Sequence, residues 1–446
     1  AVLTSMRFRV QTRSLPYNSI TLPGYKFTAS CPIESMPLPQ KVIIPLMCYG
    51  NEYSPTVKKG QAVLGGEAIG TSENPVMPPI TSTLSGEVSG IIKYLDPFYD
   101  SLISAVEITS DGMDNWIEPE KPPRENASGR SLLKLIEKNG VYGLGGGGFP
   151  LYIKLVSALN SKVSTLIINA MECEPYLTSD YRLMIEHAKD IIAGTCVLQK
   201  VLSPTQTIIA VSDMYPDAAG KLFEACNENE KARDISVKTF KSSYPSGTEE
   251  LLAKAILNRE VPPGKLPQDV GASIHSVATV KSLSDVMSSG LPPMERVITA
   301  SGNLVKRANL KVRIGTPLAD VINYCSGSRS EGNMIVLGGP MTGRIAHDTS
   351  VPITPPVSAV LALQEATAPE AECIRCGKCI DVCPVRLSPV DLYLNSRAGK
   401  YDECSKLGIS ICFECGNCSF ACPSAIPLVQ YIKIAKREIK MRGTIN

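Results

Sequence analysis

Eight of the fifteen cysteines in this 446-residue chain fall into two runs near its end, "CIRCGKCIDVCP" (373–384) and "CFECGNCSFACP" (412–423). Both read C-x-x-C-x-x-C-x-x-x-C-P, a spacing suited to cubane iron–sulfur clusters. Thiolates are soft ligands that favour iron, and three on one tight loop can take three corners of one cube. The fourth cysteine lies too far along the chain to close its own cube and ligates the partner cluster instead. The spacing therefore predicts two [4Fe–4S] clusters. One is held by Cys373, Cys376, Cys379 and Cys422, the other by Cys412, Cys415, Cys418 and Cys383. Zinc binding and a disulfide framework are the competing readings, but zinc sites use C-x-x-C pairs rather than triplets. The remaining cysteines (Cys31, Cys48, Cys173, Cys196, Cys226, Cys325 and Cys404) have no regular spacing and read as reduced, mostly buried thiols.

A second stretch with chemistry in it is "GVYGLGGGGFP", Gly140 to Pro150. Gly143, Gly145, Gly146, Gly147 and Gly148 place five glycines in six positions, so backbone amides can approach a phosphate closely. The helix predicted from "LYIKLVSALN" would aim its N-terminal dipole at that anion, and Lys154, one turn in, would add a full charge. Gly143, Gly145 and Gly148 formally match G-x-G-x-x-G. A Rossmann fingerprint, however, needs a strand before the loop, and an amphipathic helix, "SLLKLIEKNG", precedes this one. A flexible hinge is the competing reading. Strand "STLIINA" then runs into "MECEPYLTSDYR", which puts Glu172, Glu174 and Asp180 at the C-terminal edge of a sheet, where open α/β sheets bind ligands. A solvated turn with a helix cap accounts for Asp180 equally well, but not for Glu174-Pro175 in the same turn. Cys173 reads as a packing residue rather than a reactive thiol. His187 (mid-helix), His275 and His347 have no metal-spaced partner and read as non-catalytic.

Several elements must position these residues. Residues 1–37 are mixed and proline-punctuated, with no legible chemistry. Short alternating strands over 38–117, with Gly60, Gly66 and Gly86 expected at turns, predict a small all-β module of barrel-sandwich (lipoyl-like) type. Its hairpin reads Ser82-Thr83-Leu84-Ser85, without the lysine a swinging arm needs, so the module is structural. A proline- and charge-rich linker follows, and β–α alternation over 128–285 predicts a sheet-centred α/β domain, including one helix through "DYRLMIEHAKDIIAGTCVLQKVL". Residues 286–350 read as a small α+β module, "ITPPVSAVLALQEATAPEAE" as a connector, and 365–446 as the cluster domain. The fold class expected is multidomain α/β. A net charge of +2 offers no case for nucleic-acid binding. No apolar run nears the ~18 residues of a membrane span, and no signal-peptide core follows the start. The expectation is a soluble, intracellular chain able to dock on a membrane complex.

In this order, "GLGGGGFPLYIKL", "INAMECEPYLTSDYRLM", "YPSGTEELLAKAI", "RVITASGNL…VRIGTPLADVI" and the paired cysteine runs resemble the C subunits of Rnf electron-transport complexes. The likeness runs from about residue 38 to near the end. That family is related to the NADH-binding flavoprotein subunit of respiratory complex I, where a loop ending GAGFP and an E-x-E-P-G turn hold FMN. The resemblance implies FMN held by Gly143, Gly145, Gly146, Gly147, Gly148 and Lys154, with Asn169, Glu172 and Glu174 lining the flavin and nicotinamide pocket. It makes Glu172 and Glu174 the catalytic candidates, Phe149 and Tyr244 aromatic neighbours, and Glu249 part of the matching "YPSGTEE" motif. It also implies a Rossmann-like FMN-binding domain, a β-grasp (SLBB) module at 286–350 and a helical, ferredoxin-type two-cluster domain. The implied activity is ferredoxin:NAD+ oxidoreduction within an ion-translocating complex, with NAD(H) as substrate and ferredoxin engaged indirectly. The implied partners are the other Rnf subunits, namely the iron–sulfur RnfB protein and the integral-membrane subunits. The implied location is peripheral, on the cytoplasmic face of the membrane. A soluble cobalamin-reductase-type protein and a pure electron relay without a nicotinamide site are the alternatives. Two departures stand out: Gly147 where relatives mostly carry alanine, and a start that lacks the family's "FKGGIHP".

Overall fold

The computed structural model describes residues 12–121, 123, 126–364 and 368–443. After Lys41, short strands with alternating burial form two four-stranded sheets that close over one core containing Ile69, Leu84, Val88, Val106 and Ile108. Gly60 and Gly66 take left-handed φ values of 83° and 87° at turns. Gly86 does not sit at a turn. It opens the strand Gly86–Asp96, where an added Cβ would lie 1.9 Å from the Thr109 carbonyl oxygen, so close strand approach is what demands glycine. The Ser82–Ser85 hairpin is buried, and Thr83 Oγ1 donates to the Ile314 carbonyl at 2.6 Å, which docks the module instead of freeing an arm.

The α/β domain has four parallel strands in the spatial order Ile235–Phe240, Gln206–Ser212, Thr165–Ala170, Ala272–Ser276. Alternation sends Leu166, Ile168 and Ala170 to the larger core and Ile167 and Met171 to the opposite one, so both faces are covered. That double burial is why "TLIINA" reads as a continuous apolar run. The strand order reverses between Thr165–Ala170 and Ala272–Ser276, which creates a switch point at their C-terminal ends. The single helix expected from Asp180 to Leu202 is two, Ser179–Glu186 and Ala188–Leu202. His187 leaves helical geometry between them (φ −126°, ψ 29°), and its Nδ1 lies 2.9 Å from Asp190 Oδ2 in the second helix, so it is not a mid-helix residue.

A mixed six-stranded sheet runs Ile33–Ser35, Ala308–Arg313, Glu295–Gly302, Ala359–Leu363, Met334–Leu337, Arg344–Ile345. Its outer strand comes from the N-terminal extension. Its strand Ala359–Leu363 lies in the expected connector, whose apolar "AVLAL" pairs on both sides and is buried. The last module is built of short helices, and the longest, Leu428–Met441, packs Ile432, Ala435 and Ile439 against Leu392 and Cys404. Its two cysteine runs repeat in backbone as well as sequence. Arg375 and Glu414, Gly377 and Gly416, and Arg386 and Ala425 occupy matching offsets, and all six have positive φ. No described helix is long and apolar enough to cross a membrane.

Candidate active site and cluster sites

At the switch point the glycine loop closes on itself. The Gly143 N–H donates to the Phe149 carbonyl at 2.8 Å, and the Gly148 N–H donates to Gly143 at 3.1 Å. The Leu144 N–H donates to Thr279 Oγ1 at 2.9 Å, tying the loop to the start of the helix after Ala272–Ser276. A Cβ built on Gly145 would lie 3.1 Å from Ser276, whereas on Gly146 (φ 103°) or Gly147 it would meet open space. The loop therefore presents bare backbone to a cavity of about 300 Å³. The same cavity is walled by Asn169, Glu172, Glu174, Asp180 and Tyr244.

Each acid is held. Glu172 accepts the N–H groups of Asp180 (2.8 Å) and Tyr181 (3.2 Å) at the start of the helix Ser179–Glu186. Glu174 accepts the Met341 N–H (3.1 Å) and the Thr342 hydroxyl (2.6 Å). Asn169 Nδ2 donates to the Gly247 carbonyl at 2.8 Å. Burial raises the pKa of both glutamates; the Lys26 charge opposes this most at Glu172, and the Thr342 hydrogen bond most at Glu174. Burial, then the Glu172 charge, push Asp180 up to about 7. Burial pushes the Cys173 thiol up to about 11, so it stays protonated at neutral pH, and it accepts the Gly247 N–H at 3.3 Å.

The predicted site residues do not all converge. Gly145 and Gly146 face the cavity, whereas Gly147 and Gly148, with Gly146, line a second cavity of about 530 Å³ against the β-rich module. Phe149 packs edge-on against Tyr49 at 4.6 Å. Lys154 pairs with Glu249 at 2.6 Å, so each satisfies the other's charge beside the loop. Sequence reasoning missed the strip Gly338–Gly343, whose "GGPMTG" was a legible turn signal after an apolar strand. A Cβ on Gly339 would sit 2.3 Å from the Glu174 carboxyl carbon, so glycine is what lets that acid lie there. It also missed Lys26, for which residues 1–37 held no signal.

No two of the fifteen cysteines are joined in a disulfide, which leaves no disulfide framework. Cys383 lines one small enclosed cavity with Cys412, Cys415 and Cys418. Cys373, Cys379 and Cys422 pack around one apolar cluster with Tyr393 and Ile426, and Cys376 is exposed. Among the described residues no three His, Cys, Asp or Glu side chains converge on a single metal ion. A cubane asks for less convergence than one ion, because each thiolate binds a different corner. Soft donors around an enclosed apolar space fit such a group. The second run also reaches the first site: Phe413 and Cys415 line the 300 Å³ cavity, and the Tyr244 hydroxyl donates to the Cys415 carbonyl at 2.7 Å.

A glycine-loop cavity at a sheet switch point, sharing a wall with a paired-cysteine module, fits an iron–sulfur flavoprotein. The family model for the Nuo51 FMN-binding domain matches residues 136–285, and that for a 4Fe-4S dicluster domain matches 372–426. The RnfC barrel sandwich hybrid domain matches 18–113. The chain is 36% identical over 426 residues to the C subunit of the proton-translocating ferredoxin:NAD(+) oxidoreductase complex of Clostridium ljungdahlii, covering 94% of this chain and 92% of that one. It is 36% identical to the C subunit of the ion-translocating oxidoreductase complex of Rhodobacter capsulatus (93% and 81% covered). To the Na(+)-translocating counterpart of Acetobacterium woodii it is 35% identical (92% and 94% covered). The chain belongs to the family of C subunits of ion-translocating Rnf complexes.

Proposed function

We propose that this chain is a peripheral, cytoplasmic-face subunit that passes electrons between ferredoxin-derived iron–sulfur centres and NAD(H), using FMN and two [4Fe–4S] clusters. Its partners in this reading are the iron–sulfur RnfB protein and the integral-membrane subunits of the complex. The observation that carries it is the shared wall: Cys415 and Phe413 of the second run line the cavity that Gly146, Glu172 and Glu174 also line. Bound there, FMN would supply the exchange between one two-electron hydride and single electrons. Gly145 and Gly146 would offer backbone to the cofactor, and Asn169 would fix one edge of it. Glu172 and Glu174, each held by two donors, would orient the nicotinamide without reorganising. Tyr244 would keep the cluster loop registered against the cavity through its bond to Cys415. Cys383 and Cys422 would each complete the partner run's cluster. The test is flavin and iron content of the purified chain, with NADH-driven bleaching of its flavin absorbance. A chain with iron but neither flavin nor NADH response, even within the assembled complex, would be a relay and would sink this reading.

A further inference from the structure

Residues 12–37 thread from the sheet edge past the cysteine module to the acidic turn of the site. Arg13 bridges to Phe240 at the sheet edge, Asn18 Nδ2 donates to the Cys383 carbonyl at 3.3 Å, and Ile20 pairs with Tyr244. Lys26 then turns inward between Tyr25 and Phe27, whose exposed rings pack around Tyr176. Its ammonium donates to three main-chain carbonyls of the acidic turn: Glu172 at 3.1 Å, Glu174 at 2.9 Å and Leu177 at 2.6 Å. An ammonium has three donors and no acceptor, so this arrangement uses it fully. The carbonyls converge because Glu172 and Tyr176 take φ values of 30° and 68°, conformations that non-glycine residues rarely adopt. Inward-pointing carbonyl dipoles repel one another unless a cation sits among them.

We propose that Lys26 is the positioning residue of the site, holding the Glu172–Leu177 turn in the shape that aims Glu172 and Glu174 into the cavity. The inference rests on the nicotinamide reading above. Lys26 is not itself a cavity wall, whereas Glu172, Glu174 and Leu177, whose carbonyls it holds, all are. It therefore acts through the turn. Its surroundings agree: burial lowers its pKa, and the acids Glu172, Glu174 and Asp180 oppose that shift.

The test compares the purified chain with its Lys26→Met and Lys26→Arg variants. Methionine keeps the stem and loses every donor, whereas arginine keeps charge and donors in a different geometry. In Lys26→Met, amide hydrogen exchange over residues 172–181 should accelerate about tenfold or more while the central strands stay protected. KM for NADH should rise by about tenfold, dithionite reduction should be unchanged, and Lys26→Arg should recover part of both losses. Unchanged exchange over 172–181 in Lys26→Met would overturn the proposal, and so would an unchanged KM or an arginine variant no better than methionine. If the methionine variant does not fold, Lys26→Gln, uncharged and with two donors, is read the same way. Should NADH fail to reduce the parent flavin, the oxidoreductase reading falls, and the exchange measurement still decides what Lys26 does.

Discussion

Replacing Glu174 by glutamine tests the nicotinamide side of the site with the least collateral change. Glutamine is nearly isosteric, which matters because the side chain lies on Gly339 with no room for a larger one. The carboxylate accepts two hydrogen bonds, from the Met341 N–H at 3.1 Å and from the Thr342 hydroxyl at 2.6 Å. Glutamine can keep both contacts, Oε1 accepting the Met341 N–H and the NH2 group donating to the Thr342 hydroxyl, which accepts as well as donates. What it loses is the charge-assisted hydrogen bond the carboxylate would make to the nicotinamide, a cost of about 1.5–3 kcal/mol, or on the order of ten- to a hundredfold in catalytic efficiency. Stopped-flow bleaching of the flavin band by NADH should show that fall in kcat/KM. Flavin content, iron content and reduction by dithionite should stay near parental values, because dithionite bypasses the nicotinamide. Thr342→Val removes only the hydroxyl and should cost less, about three- to tenfold. Parental NADH kinetics in Glu174→Gln would refute the reasoning, and so would loss of flavin in step with activity, which would make Glu174 a flavin ligand instead.

Cys383→Ser should damage the cluster of the Cys412 run and Cys422→Ser that of the Cys373 run; EPR showing each substitution harming only its own run would defeat the exchanged ligation. In Gly146→Val the Cβ meets no protein atom, but the residue is strained at φ 103° and intrudes on the cavity, so flavin content should fall sharply, and full retention would make the loop a hinge. The Asp180 carboxyl, held up near 7 by burial and then by Glu172, titrates near 3.9 when unfolded. Its contribution to stability is therefore full below about pH 4 and lost as pH rises through about 7. Asp180→Asn should raise Tm relative to the parent more at pH 8 than at pH 5, and equal differences would count against it.

What was legible depended on how local the physics was. The cysteine runs could be read because each pattern is complete within twelve residues, and Gly377 and Gly416 shape the same loop within each run. The α/β alternation was legible because helices cover both faces of "TLIINA". The break at His187 was not, because nothing in the periodicity of "DYRLMIEHAKDII" marks where one helix hands over to another. Nor was the strand Ala359–Leu363, because a five-residue apolar run beside prolines reads equally well as a linker until partners exist on both sides. Lys26 is the extreme case. Its partners are carbonyls about 150 positions away, and backbone acceptors carry no residue identity.

The same non-locality explains why the glycine loop alone could not be assigned. Its amides face a cavity whose other walls come from the ends of two parallel strands, from Gly338–Gly343 of the mixed sheet and from Phe413 and Cys415 of the cluster module. None of these segments forms that cavity alone, and Glu174 points into it only because Gly339, Met341 and Thr342 receive it. Docking of the modules is therefore what completes the cavity. A shift of the cluster module would move Cys415 and Tyr244 together, and one wall of the cavity with them, since the 2.7 Å bond ties them. The glycine loop and the cysteine module share one cavity wall, and the Tyr244–Cys415 bond helps hold the two in fixed register.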